Sequence, residues 1–136
     1  SSTQSYGMAI MYLIDTNIFL EILLGQEKKE ICKNFLHDNH ASLFISDFSL
    51  HSIGVILFKH KKEEIFTEFC GDILTSVDVV TLSKEIYASL AETKVSLKLD
   101  FDDAYQYMIA QEHSLNIVTM DDDFKRAKDL IPVTFL

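Results

Sequence analysis

Seven aspartates stand in three short groups: Asp15 alone, then Asp100, Asp102 and Asp103, then the run Asp121, Asp122 and Asp123. They are one third of the 21 acidic residues. Carboxylates brought close together repel, and each then favours taking up a proton. A divalent cation removes that conflict. Mg2+ or Mn2+ takes hard oxygen ligands and usually keeps several waters, so three or four carboxylates suffice to hold it. Held in this way, it can polarise a phosphodiester, generate hydroxide from water and stabilise the leaving oxygen. Each group also has a plainer account when taken singly. Asp15 reads as a helix cap, Asp102 or Asp103 as a first-turn complement to the helix dipole, and 121–123 as a solvated turn. What separates the readings is whether the fold brings the three groups together.

Five short apolar runs supply the strands that would do so. They are 10–14, 43–45, 77–82, 115–119 and 133–136, the last following the only proline, Pro132. Each reads as a strand mostly buried on both faces, as in a parallel sheet. Helical spacing fills the intervals. Ile18, Leu20, Ile22 and Leu23 predict a helix over 16–24 with Thr16 as its cap, and Ile31, Phe35 and Leu36 a second. Ser46 or Asp47 can cap a third, carrying Leu50, Ile53, Ile56 and Leu57. Ile65, Phe66, Phe69 and Ile73 mark a fourth, Ser83, Ile86, Tyr87 and Leu90 a fifth, and 101–112 a sixth. Strands alternating with helices mean a layered α/β fold. In such folds the loops leaving the carboxyl ends of the strands form the ligand crevice. Asp15 follows the first strand, Asp121 the fourth, and Asp100–Asp103 open the sixth helix, so parallel topology can gather all three groups at one edge.

Composition sets bounds without choosing the chemistry. The chain has 136 residues, 48% of them hydrophobic, enough for one sizeable core. No run is apolar for the roughly 18 residues that a membrane span needs. Residues 1–9 are read as a disordered tip or a remnant of expression, without the basic start and apolar run of a signal peptide. Cys32 and Cys70, with no CxxC, read as thiols of a reducing, cytoplasmic compartment. The net charge of −9 is the wrong sign for a free-standing nucleic-acid binder. It suits either an ordinary acidic protein or a site whose carboxylates a metal neutralises.

Three segments carry a resemblance to a known family. YLIDTNIFL (12–20) resembles the opening strand and turn of PIN domains. DDAYQYMIA (102–110) resembles their Asp-Ala helix, on Asp103, Ala104 and Ala110, and NIVTMDDDF (116–124) their closing strand and turn, on Thr119, Asp121, Asp123 and Phe124. The segments lie in the family's order and together cover nearly all of 10–136. The resemblance implies a single PIN-like three-layer fold over 10–136, with a central parallel sheet in strand order 3-2-1-4-5 flanked by helices. It implies cleavage of RNA dependent on Mg2+ or Mn2+. Asp15, Asp103 and Asp121 would be the catalytic metal ligands, with Asp123 a looser one. Asn17 and Thr119 would orient the aspartates, and Thr16 would contact a phosphate or cap the helix. Many small members are toxins of VapC-type toxin–antitoxin pairs, so an antitoxin protein and a homodimer are the implied partners, in the cytoplasm and away from any membrane.

One position departs from the family's pattern. The helix after the second strand usually carries a Glu six residues after its opening Ser; here Ser46 is followed at that interval by Ser52. A neutral serine adds no charge to a metal site. Three matched carboxylates and Asp123 still suffice for one metal, and Asp100, Asp102 or Glu21 could add to them. The same departure supports the alternative of a degenerate PIN domain that binds RNA or protein without cleavage. A phospho-receiver domain needs an acidic pair near the first strand and a Lys after the last, and a haloacid-type phosphatase needs Asp where Asn17 stands; neither fits. Lys28, Lys29, Lys59, Lys61 and Lys62 read as solvated helix faces. Phe19, Phe35, Phe48, Phe58, Phe66 and Phe69 are more aromatic surface than so small a core needs, which suggests an apolar patch for a partner.

Overall fold

The computed structural model describes residues 9–136, so the expected tip, Ala9 apart, lies outside the described residues. Five strands form one sheet: β1 (Tyr12–Ile14), β2 (Leu43–Ser46), β3 (Asp78–Val80), β4 (Asn116–Thr119) and β5 (Val133–Phe135). All pairings are parallel and the order is β3-β2-β1-β4-β5, as the resemblance implied. Among the described residues six α-helices surround it: α1 (Thr16–Leu23), α2 (Lys29–Asp38), α3 (Asp47–Lys59), α4 (Glu63–Asp72), α5 (Leu90–Leu97) and α6 (Phe101–His113).

The alternation of a strand explains the three layers. Successive side chains point to opposite faces. Leu13 packs into one core with Ile117, α5 and α6, while Ile14 packs into another with Val118 and the helices α1 to α4. Both residues are wholly buried because β1 lies in the middle of the sheet. Burying a Leu or Ile side chain on each face is worth roughly 1.5–3 kcal/mol apiece, so the apolar run of β1 fixes its central place.

Two sequence expectations change at the periphery. β3 and β5 are edge strands and not buried on both faces; Val79 and Phe135 remain exposed. Pro132, which offers no N–H to a ladder, is tolerated just before β5 for that reason. The expected fifth helix is also divided: residues Lys84–Ser89 form a 3-10 segment, and the α-helix begins at Leu90. Tyr87 is exposed, so the apolar spacing across this stretch does not mark one buried helical stripe.

Among the described residues no helix is long and apolar enough to cross a membrane. Cys32 is buried, Cys70 half-buried, and both are free.

Candidate metal centre

The carboxyl ends of β1, β2 and β4 meet at one edge of the sheet, and each releases the chain into a turn or helix. Asp15 leaves β1 in extended conformation and caps α1: its Oδ1 accepts the N–H of Thr16 at 2.9 Å. The cap is therefore Asp15 and not Thr16, because Thr16 is already the first helical residue. Ser46 caps α3 by accepting the N–H of Ser49 at 3.0 Å. Asp100 caps α6 in the same way through the N–H of Asp103 at 2.9 Å. Asp121 Oδ1 accepts the N–H of Asp123 at 2.9 Å and so shapes the turn after β4. The Asp-rich junctions thus satisfy helix and turn N–H groups first, as the plainer account expects.

That account does not exhaust them. Asp103, Asp121 and Asp123 each offer a carboxylate oxygen within 4.8 Å of the others. Asp103 and Asp121 are half-buried and Asp123 exposed, so the group is open to solvent on one side. Among the described residues only Asp123 of the three has a cationic neighbour within 4 Å, Arg126 at 3.6 Å. The Asp103 carboxyl is pushed up to about 7, chiefly by burial and then by the charges of Asp100, Asp121, Asp15 and Asp123. Burial and the neighbouring Asp100 also raise Asp102.

Asp15 stands beside this trio, outside it, and is buried. Its Oδ2 accepts the Thr119 hydroxyl at 2.8 Å, and its Oδ1 accepts Gln106 Nε2 at 3.3 Å as well as the Thr16 amide. Burial raises its carboxyl above the usual range; the bonds from Thr119, Gln106 and Thr16 act against that, and the charge of Asp121 adds to it. Thr119 also accepts the N–H of Asp121 at 2.9 Å, so one buried hydroxyl ties Asp15 to Asp121.

The remaining expected residues fall as follows. Thr16 is buried and donates its hydroxyl to Ser49 Oγ at 2.7 Å. Asn17 is exposed and makes no side-chain hydrogen bond to a described residue. Ser52 is half-buried on α3, one turn beyond Ser49. Asp47 turns away and accepts the Tyr105 hydroxyl at 2.8 Å. Asp122 pairs with Lys125 in solvent, and Glu21 accepts the amide of Lys28 at 2.8 Å, so neither joins the group. Two residues escaped the sequence reading: Ser49 and Gln106, which meet each other and Asp15 in the interior. The signal for Gln106 was an amide inside the apolar run AYQYMIA, at a position that faces the core.

The donor set is all carboxylate oxygen, mutually repelling and mostly without cationic neighbours. Hard divalent cations such as Mg2+ or Mn2+ fit it, and softer metals that prefer thiolate or imidazole do not.

A three-layer parallel α/β domain with an acidic group at the carboxyl edge of its sheet is the class that fold and site define. The PIN domain family matches residues 12–130, and the chain belongs to that family. PIN domains are generally nucleases. Three solved structures share the fold. A toxin–antitoxin complex from Klebsiella pneumoniae is 23% identical, with a TM-score of 0.72, over 90% of this chain and 95% of that one. VapBC2 from Rickettsia felis, bound to a DNA fragment from its promoter, is 20% identical, with a TM-score of 0.75, over 90% and 97%. FitAcB from Neisseria gonorrhoeae is 20% identical, with a TM-score of 0.70, over 91% and 96%. No curated protein matches the chain.

Proposed function

We propose that the protein is a divalent-metal-dependent endoribonuclease, the toxin of a VapC-type pair. The observation that carries the reading is the convergence of Asp103, Asp121 and Asp123 beside the buried Asp15. These four residues would hold Mg2+ or Mn2+. When bound, the ion polarises a phosphodiester, activates water and balances charge on the leaving oxygen. The chain's own work is to gather and aim the carboxylates. Asp121 is shaped by its bond from the Asp123 amide, and Thr119 fixes Asp15 relative to Asp121. Asp100 holds the start of α6 so that Asp103 faces the others. No Ser, Cys or His nucleophile is required.

RNA as substrate, an antitoxin partner, a homodimer and a cytoplasmic setting belong to the same proposal. The shared fold with toxin–antitoxin structures supports the partner. So does an apolar cleft between α3 and α4 lined by Leu50, Val55, Phe58 and Phe66. Residues 10–136 would form the one domain. A second reading, a PIN domain that binds without cutting, is favoured by one feature: α3 carries the neutral Ser52.

Cleavage of a mixed structured RNA with Mn2+, with Mg2+ and with EDTA, beside Asp15→Asn, tests both. Metal-dependent cutting lost in the variant is the expected result. Folded protein that cuts in neither metal would overturn the nuclease reading and favour the second.

A further inference from the structure

Gln106 lies in the middle of α6, 1% exposed, in a run from Ala104 to Ala110 that is buried throughout. The other side chains of that run are apolar or tyrosine. Its Nε2 is set between two oxygens, 3.3 Å from Asp15 Oδ1 and 2.9 Å from Ser49 Oγ. Its Oε1 is buried with no partner among the described residues. An amide can in principle be turned over. Here that would set Oε1 against a carboxylate oxygen, which only accepts when ionised, so Asp15 fixes the amide's orientation.

Ser49 supplies the other anchor. Its Oγ lies 2.7 Å from Thr16 Oγ1 and 3.2 Å from Ser46 Oγ as well as 2.9 Å from the amide. A hydroxyl oxygen accepts two bonds and donates one. The amide nitrogen only donates, and Thr16 donates as well, so both acceptor positions of Ser49 Oγ are filled and its own proton is left for Ser46. The amide is thus braced against a fixed point on α3. An unpaired buried carbonyl lowers stability, and an apolar side chain of the same length would avoid it. Gln106 is therefore unfavourable to the core and favourable to Asp15.

We infer that Gln106 is a positioning residue of the metal centre: its amide, braced on Ser49, sets the orientation of the Asp15 carboxylate beside Asp103, Asp121 and Asp123. The inference rests on reading Asp15 as part of that centre. It assigns to α6 an uncharged hold on the site, braced by Ser49 of α3.

Mn2+ binding to the purified chain, measured by calorimetry beside thermal unfolding and RNA cleavage, tests it. The proteins compared are the wild type, Gln106→Met, Ser49→Ala and the double variant. Met keeps the length and removes the donor. Expected is a fall in Mn2+ affinity of about tenfold for Gln106→Met, as for loss of an outer partner of a metal ligand, with an unchanged or higher Tm. Ser49→Ala loses less, and the double variant loses no more than Gln106→Met, because both act through one contact. An affinity equal to wild type in Gln106→Met, whatever its Tm, overturns the inference and leaves a structural role. If Gln106→Met does not fold, unchanged affinity in Ser49→Ala overturns it instead. A wild type that binds no Mn2+ overturns it together with the metal-centre reading. A wild type that binds but does not cut removes the nuclease reading alone, and the affinity ratios still decide on Gln106.

Discussion

Asp15 and Asp103 face the same edge of the sheet, and burial raises both carboxyls above the usual aspartate range. Their surroundings are otherwise opposite. Asp15 receives three donors, from Thr16, Gln106 and Thr119, and caps a helix whose buried face fills the core. The Asp103 carboxyl is surrounded chiefly by other carboxylates. Asp15 is thus a carboxylate that the fold satisfies, and Asp103 one that the fold leaves short of positive charge. A site built this way fixes one aspartate rigidly and leaves the others strained by repulsion that a proton or a cation relieves.

The sharpest way to break the comparison is to delete each residue without metal present. Asp15→Ala removes a cap and strands the Thr119 hydroxyl and the Gln106 amide in the interior. Together these should cost about 3 kcal/mol of stability in urea unfolding. Asp103→Asn removes one of several like charges and caps nothing, so its apo stability should equal or exceed that of wild type. Equal losses in the two would show that both are structural. With metal the order reverses in kind. Asp103→Asn should lower Mn2+ affinity by more than the roughly 10–100-fold that loss of a ligand's outer partner causes. Titration calorimetry reads it directly.

This division was only half legible in the sequence. Asp15 and Asp121 could be placed at one edge because each follows a short apolar run, and Thr119 because it ends one, and a parallel sheet sends all such ends the same way. Asp103 could be placed at the start of a helix from the spacing of Ala104, Tyr107 and Ala110. Which carboxylates converge and which is enclosed depends on the direction each side chain takes, and strand or helix period carries no such information. The contact between Gln106 and Ser49 joins residues 57 apart in the chain, on two helices whose docking no local pattern specifies. The same limit applies to β3 and β5, where short β-branched runs look alike whether they end up central or at an edge.

The comparison can be sharpened by pH. Asp103 titrates at about 7 in the folded chain against an ordinary value of 3.8. Between those values the folded protein holds a proton that the unfolded chain has released. The contribution of this group is present in full below 3.8 and is lost as pH rises through about 7. The upward shift of Asp15 acts in the same direction. Tm of the metal-free protein should therefore decline from mildly acidic toward neutral pH, and Asp103→Asn should flatten the decline. Adding Mn2+ should reverse the trend, because protons and metal compete for the same oxygens. A slope unchanged in Asp103→Asn would show that its carboxyl is not the group responsible.

Arg126 offers the smallest effect, and the most discriminating. It lies 3.6 Å from Asp123 and donates to the Lys98 carbonyl at 2.8 Å, so it spans from the turn after β4 to the loop before α6. Two consequences of Arg126→Ala oppose each other. Removing a cation leaves the acidic group more negative and favours Mn2+. Removing the tether loosens the two segments that carry Asp123 and Asp103 and disfavours it. Magnitudes decide between them. The Asp123 pair is half-exposed and screened, worth at most about 1 kcal/mol and much less at high salt. The tether is a single bond of about 1 kcal/mol between segments that caps and packing already hold. Asp100 fixes the start of α6 and buried Phe124 fixes the turn, so the tether is partly redundant. The charge effect should win at low ionic strength. Mn2+ affinity should rise about two- to threefold in Arg126→Ala and return toward wild type as salt is added. A fall in affinity that salt does not alter would instead mean that the open side of the site, like the Asp15 side, is held in place by the protein before any cation arrives.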